Sequence, residues 1–160
     1  DAADFGDLSG TRERVTGCSN GIRGIWGGGL SITNIIEYSV FATLGNVTDF
    51  GDLTLARHDA GACSDITRGI WGGGDGGSYT VTMDYITMAT TGDALDFGDL
   101  TAARRAASAS SNGTRGVWGG GNTGSESDII DYITMATTGD ALDFGDLSAA
   151  RRLTGATSGN

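Results

Sequence analysis

A chain of 160 residues is long enough for one ordinary domain, and this one carries a formal net charge of −10 with arginine as its sole basic type. A lysine-free acidic surface binds phosphate poorly, which argues against nucleic acid and anionic membranes as main partners and excludes lysine-dependent chemistry. The 29 glycines and absence of proline do not mark a linker: the glycines recur at fixed phases beside aromatic and β-branched residues and read as turn and bulge positions.

No apolar run approaches the roughly 18 residues of a membrane-spanning helix, so membrane insertion is not expected. No secretion leader is visible, and the start at Asp1 without methionine suggests processing or a fragment. Asp-Phe-Gly-Asp-Leu opens the chain at Asp4–Leu8 and returns at Asp49–Leu53, Asp96–Leu100 and Asp143–Leu147, at intervals of 45, 47 and 47 residues. Gly-Ile/Val-Trp-Gly-Gly-Gly keeps step at Gly24–Gly29, Gly69–Gly74 and Gly116–Gly121, each Trp lying 22 residues after the first Asp of the preceding motif. The chain is a tandem repeat, and the repeat decides the fold.

In chain order the expected units are an outer strand over 1–10, three full repeats over 11–53, 54–100 and 101–147, and a first strand over 148–160. Within the middle repeat, Ala60–Ser64 is a short strand of small residues and Asp65–Arg68 has turn composition. Gly69–Trp71 begins an apolar strand that runs into Gly72–Gly74. After a polar loop, Tyr79–Ala89 is rich in β-branched and aromatic residues, Thr90–Asp93 turns, and Ala94–Leu100 is a fourth strand. Four short antiparallel strands every 40–50 residues or so are the signature of a β-propeller blade. A single blade cannot bury both faces, so the constant aromatics Trp26, Trp71, Trp118, Phe50, Phe97, Phe144, Tyr38, Tyr85 and Tyr132 are expected between stacked blades.

With Arg57, Gly72–Gly73, Asp84–Tyr85 and Phe97 at these phases, the repeat resembles a kelch repeat, which implies an all-β, kelch-like propeller of four-stranded antiparallel blades of about 47 residues. The fuller wording, TRGIWGGG followed by TTGDALDFGDLTAAR, resembles repeat proteins of marine phages of virion structural or tail-associated type. That resemblance implies a non-enzymatic structural or host-attachment protein of a virion or the cell exterior, with other virion or surface proteins, or glycans, as partners. A secreted carbohydrate-binding propeller is the alternative, and a propeller enzyme is a third reading. Three blades cannot close a ring of at least four. Either a longer array supplies the rest, which is preferred, or a homo-oligomer does, at the cost of unpaired strand edges.

The candidate residues follow from the repeat. Each second Asp of the motif (Asp7, Asp52, Asp99, Asp146) is followed five residues later by arginine (Arg12, Arg57, Arg104, Arg151), and Arg23, Arg68 and Arg115 precede each Gly-Ile/Val-Trp. Structural salt bridges between these acids and arginines are expected. Calcium on the paired aspartates is the alternative, and no other cofactor is implied. Four copies of Asp-Phe-Gly in a lysine-free chain remove a kinase magnesium site. His58, the only histidine, stands where the other repeats carry Glu13, Arg105 and Arg152, so a solvated position is expected and a histidine-rich zinc site is excluded. Gly28, Gly73 and Gly120 fit close strand approach better than a phosphate cradle. Cys18 and Cys63 share a phase held by Ser110 in the third repeat; a small buried residue is expected there, a bond between the two being the alternative.

The repeats differ most in the loop after the glycine triplet, where length and wording vary on a constant frame: Leu30, Ser31, Ile32 and Thr33; then Asp75, Ser78 and Tyr79; then Asn122, Thr123, Ser125 and Glu126. A scaffold presents binding residues in this way, and these eleven are the candidate ligand contacts, with neutral drift in an exposed loop as the other reading.

Overall fold

The computed structural model describes residues 1 and 3–157, and all its regular secondary structure is strand. β1 (Thr16–Ser19), β2 (Arg23–Gly27), β3 (Ile35–Val40) and β4 (Thr48–Asp52) form the first sheet. β5 (Gly61–Ser64), β6 (Arg68–Gly72), β7 (Thr82–Thr87) and β8 (Leu95–Asp99) form the second. β9 (Ser108–Ser111), β10 (Arg115–Gly119), β11 (Ile129–Thr134) and β12 (Leu142–Asp146) form the third. Each is an antiparallel meander with its strands in sequence order, and the described residues do not close into a ring. The four strands expected for each repeat are therefore present, the third shorter than the Tyr79–Ala89 run suggests.

Period-two alternation explains how the sheets stack. On β6, Ile70 points toward the third sheet and Trp71 toward the first. The first joint buries Ile25, Ile36, Phe50 and Leu53 from one side against Trp71, Ile86, Met88 and Ala94 from the other. The second joint repeats it with Ile70, Met83, Phe97 and Leu100 against Trp118, Ile133, Met135 and Ala141. Each large side chain so buried contributes roughly 1.5–3 kcal/mol. The first strands β1, β5 and β9 lie side by side at the neck of the stack, where only small residues fit.

The Asp-Phe-Gly-Asp-Leu motif is the outer strand and the outer half of each joint. On β8 a bulge leaves Phe97 between the paired residues Asp96 and Gly98, and Phe97 is buried edge-on against Tyr85 with ring centroids 5.9 Å apart. Gly98 has φ +138°, and a Cβ there would lie 2.5 Å from the Gly139 carbonyl of the next sheet's turn. Across this contact Gly139 N–H donates to Phe97 O at 2.7 Å and Ala141 N–H to Asp99 O at 2.8 Å. Gly98→Ala must therefore push two backbones apart, whereas the equivalent Gly145, with nothing within 4 Å, faces only the φ penalty. Thermal melts should show Gly98→Ala about 1–3 kcal/mol more destabilised than Gly145→Ala.

The two chain ends differ from expectation. Residues 1–10 form no strand among those described. They are held sideways, with Gly45 N–H donating to Phe5 O (2.8 Å) and Val47 N–H to Asp7 O (3.0 Å). Residues 148–157 also form no strand, and 158–160, the end of that expected element, lie outside the described residues. Of the nine aromatics expected in the core, Phe144 is 54% exposed and Trp26 only half-buried. Each faces an end of the stack with no neighbouring sheet, while Tyr38, Tyr85 and Tyr132 are half-buried.

Candidate functional site

The arginines do form buried ion pairs, but with other acids than the motif spacing suggested. Arg57 Nη2 lies 2.9 Å from Asp84 Oδ2 and Arg104 Nη2 lies 2.9 Å from Asp131 Oδ2, all four side chains fully buried; Arg12 pairs with Glu37 in the first sheet. Each arginine also donates to the backbone of its own sheet, Arg57 to Trp71 O and Arg104 to Trp118 O, both at 3.3 Å. The hydroxyl after each motif completes the set: Thr54 Oγ1 donates to Asp84 Oδ1, and Thr101 Oγ1 to Asp131 Oδ1 at 2.6 Å. Burial pushes the Asp84 carboxyl above its usual range and the Arg57 guanidinium below its own, outweighing in each case the opposite charge beside it.

Asp7, Asp52, Asp99 and Asp146 make no ion pair among the described residues. They sit on the outer edge, and it is their backbone that joins the sheets: Asp52 N–H donates to Asp93 Oδ1 and Asp99 N–H to Asp140 Oδ1, both at 3.1 Å. Arg23, Arg68 and Arg115 are likewise not ion-paired. They lie over Tyr38, Tyr85 and Tyr132 at 4.7, 4.9 and 5.0 Å, a cation–π arrangement. Arg23 and Arg68 also donate to the Met88 and Met135 carbonyls of the next sheet at 2.8 Å. Arg151 is exposed and its Nε donates only to Ala149 O, at 3.2 Å, because no acid-bearing third strand follows it among the described residues. The sequence did carry a signal for the true partners, the acid that precedes each constant tyrosine: Glu37, Asp84 and Asp131.

The variable loops form a row beside the connections that enter each sheet. Asp75 exchanges backbone hydrogen bonds with His58 (2.9 and 3.1 Å), and Asn122 does the same with Arg105 (2.8 and 3.1 Å). Leu30 N–H donates to Glu13 O at 2.7 Å, and Thr33 O accepts from Arg57 N–H at 3.2 Å. Side chains then tie one loop to the next sheet. Arg105 Nη1 lies 3.0 Å from Asp75 Oδ2 and its guanidinium 5.1 Å over the Tyr79 ring, while Arg152 Nε lies 3.7 Å from Glu126 Oε1. Asp75 and Tyr79 are thus engaged in a joint, and Asn122 is buried with its Oδ1 accepting from Gly124 N–H. Ser31, Ile32, Ser78, Thr123, Ser125 and Glu126 are the candidate loop residues turned to solvent, while Leu30 and Thr33 are half-buried.

His58 departs from the solvated position expected of it. It is 7% exposed, because the Asp75 loop clamps its backbone, and its Nδ1 lies 3.2 Å from Asp59 Oδ2. Cys18 and Cys63 are free thiols facing the neighbouring Gly69 and Gly116; desolvation pushes Cys18 up to about 12 and raises Cys63 further, so neither is a ready nucleophile. Among the described residues no three His, Cys, Asp or Glu side chains are placed to hold a metal ion.

Besides the loop row, the ends of the first strands enclose a polar groove of about 690 Å³, lined at matching phases by Ser19, Ser64 and Ser111 and by Asn20, Asp65 and Asn112. The Oδ1 atoms of the last three are occupied, Asp65 accepting from Thr67 and Arg68 N–H at 2.6 Å and the two asparagines likewise. No protein-family model matches this chain, and no curated protein matches it.

Proposed function

We propose that the chain is a non-enzymatic scaffold, a sector of a kelch-like β-propeller that presents variable loops, in a structural or host-attachment role on a virion. The observation that carries this reading is the division of labour between frame and loops. Arg12, Arg57 and Arg104 and the acids Glu37, Asp84 and Asp131 are consumed in matching buried ion pairs, one within each sheet. The residues that differ from repeat to repeat, Ser31, Ile32, Thr123 and Glu126 among them, are turned to solvent along the loop row. The resemblance of TRGIWGGG and TTGDALDFGDLTAAR to marine-phage repeat proteins supplies the virion. A second reading, a carbohydrate-binding propeller, is favoured by the polar groove of serine and amide side chains, whose chemistry suits sugar hydroxyls.

The test is in two arms. Co-isolation of the chain with identified capsid or tail proteins is expected under the first reading. Selective binding of the isolated chain on a glycan array, weakened at least tenfold by Ser64→Val with Ser111→Val, is expected under the second. A chain that does neither overturns both.

A further inference from the structure

The two end faces of the stack are unlike each other and complementary. The third sheet turns Val117, Ile130 and Leu147 outward around a groove of about 520 Å³, and leaves Phe144 exposed as well. Their equivalents one repeat earlier, Ile70, Met83, Phe97 and Leu100, are 3% exposed or less beneath the third sheet. The first sheet turns Trp26, Phe41 and Val47 outward, around a groove of about 430 Å³, with Phe41 48% exposed. Their equivalents Trp71, Met88 and Ala94 are buried against the first sheet. The chain thus exposes one half of its internal joint at one end and the other half at the other end.

The end segments duplicate each other as well. Asp4–Ser9 and Asp143–Ser148 have the same six residues, followed by Arg12 and Arg151 at the same spacing. Backbone geometry agrees: Arg14, Asp59, Ala106 and Leu153 share a phase and all have φ between 54° and 56°. Asp59 N–H donates to Arg14 O, Ala106 N–H to Asp59 O and Leu153 N–H to Ala106 O, a ladder with one rung per repeat. Residues 148–153 are therefore already set in the path that leads into a further sheet, and Arg151 lacks the third-strand acid that Arg12, Arg57 and Arg104 each have.

We propose that a second copy of this chain docks head to tail, its first sheet closing over the third sheet of the first copy, so that the new joint repeats those inside the chain. Asp4–Arg12 of the incoming copy and Asp143–Arg151 of the resident copy fill the same place in such a joint, so one set withdraws. The incoming set does so: it is held sideways to the 45–47 turn and, through Ser9 N–H and the Arg12 guanidinium, to Glu37, contacts that the identical Ser148 and Arg151 of the resident copy take over, whereas the resident set is the strand β12, paired along β11. Arg151 then meets the incoming Glu37 in place of Arg12. This heterologous contact, unlike a two-fold one, leaves a free face at each end and can add further copies. It follows from the repeat geometry and does not depend on the proposed role.

The test uses the 160-residue chain and two blocked variants, Val117→Asp at one face and Phe41→Asp at the other, both outside the internal joints, with circular dichroism confirming the native β spectrum. Sedimentation velocity should show concentration-dependent assembly of the unmodified chain and loss of it in each variant alone. Mixing the two variants should restore a species that stops at two copies, since one intact face of each kind remains. An unmodified chain that stays monomeric at high concentration, a variant that self-associates alone, or a mixture that stays monomeric overturns the proposal.

Discussion

Asp84→Ala is expected to lower stability by about 3–5 kcal/mol, read as a fall in the urea midpoint at an unchanged slope. The substitution leaves the Arg57 guanidinium fully buried with the Trp71 carbonyl as its remaining hydrogen-bond acceptor and removes the acceptor of Thr54 Oγ1. A domain of ordinary stability has about 5–15 kcal/mol in all, so this single change removes a large share. Most of the loss is expected to come from the stranded charge. Replacing both partners by apolar residues of similar volume, Arg57→Met with Asp84→Leu, should therefore recover most of it. A double variant as unstable as the single one would place the loss in the hydrogen bonds to Trp71 and Thr54 instead.

Trp118→Ala is expected to cost about 3–5 kcal/mol, and Trp26→Ala clearly less. The Trp118 indole is 0% exposed and fills a slot between sheets that glycine keeps open: a Cβ on Gly61 would lie 2.7 Å from its Cδ1, and one on Gly72 2.8 Å from its Nε1. Its Nε1 donates to Gly61 O at 3.1 Å, so alanine leaves a cavity and an unpartnered carbonyl together. Trp26 occupies the same phase but stands at the open end, with less surface to lose. Equal losses at the two positions, measured by urea unfolding, would mean that the end face is already covered in solution.

Much of the fold was legible because the repeat phases every decision. Asp65–Arg68 read as a turn and Gly69–Trp71 as the start of an apolar strand, and both are so; Gly28, Gly73 and Gly120 read as places of close approach, and a Cβ there would lie 2.3, 2.5 and 2.5 Å from the Arg57, Arg104 and Arg151 carbonyl oxygens. Partner choice was less legible. Asp52 and Arg57 are five residues apart, but β8-type outer strands put the motif acids on the rim, while the meander folds Asp84 back onto Arg57 across 27 residues. Local spacing says little about contacts made through a sheet. His58 misled for a related reason: its charged equivalents describe the side chain's company in sequence, and burial came from the Asp75 loop, whose wording is peculiar to that repeat. The exposure of Phe144 and Trp26 depends on position in the stack, which a phase shared by every repeat does not encode.

The shared backbone turn at Arg14, Asp59, Ala106 and Leu153 has a consequence for how such a chain can change length. Excising residues 54–100 would bring Leu53 onto Thr101, a pairing whose sequence neighbours and backbone hydrogen bonds are already those of the native Leu100–Thr101 junction. Duplication of the same segment is equally seamless, whereas a cut a few residues longer or shorter would change the four-residue spacing that brings Arg57 O to Gly29 N–H and Arg104 O to Gly74 N–H. The gene for such a chain can therefore lengthen or shorten by unequal crossing-over in whole steps of 47 residues, each step leaving an intact reading of the fold, and selection acts on the number of sheets as a discrete variable.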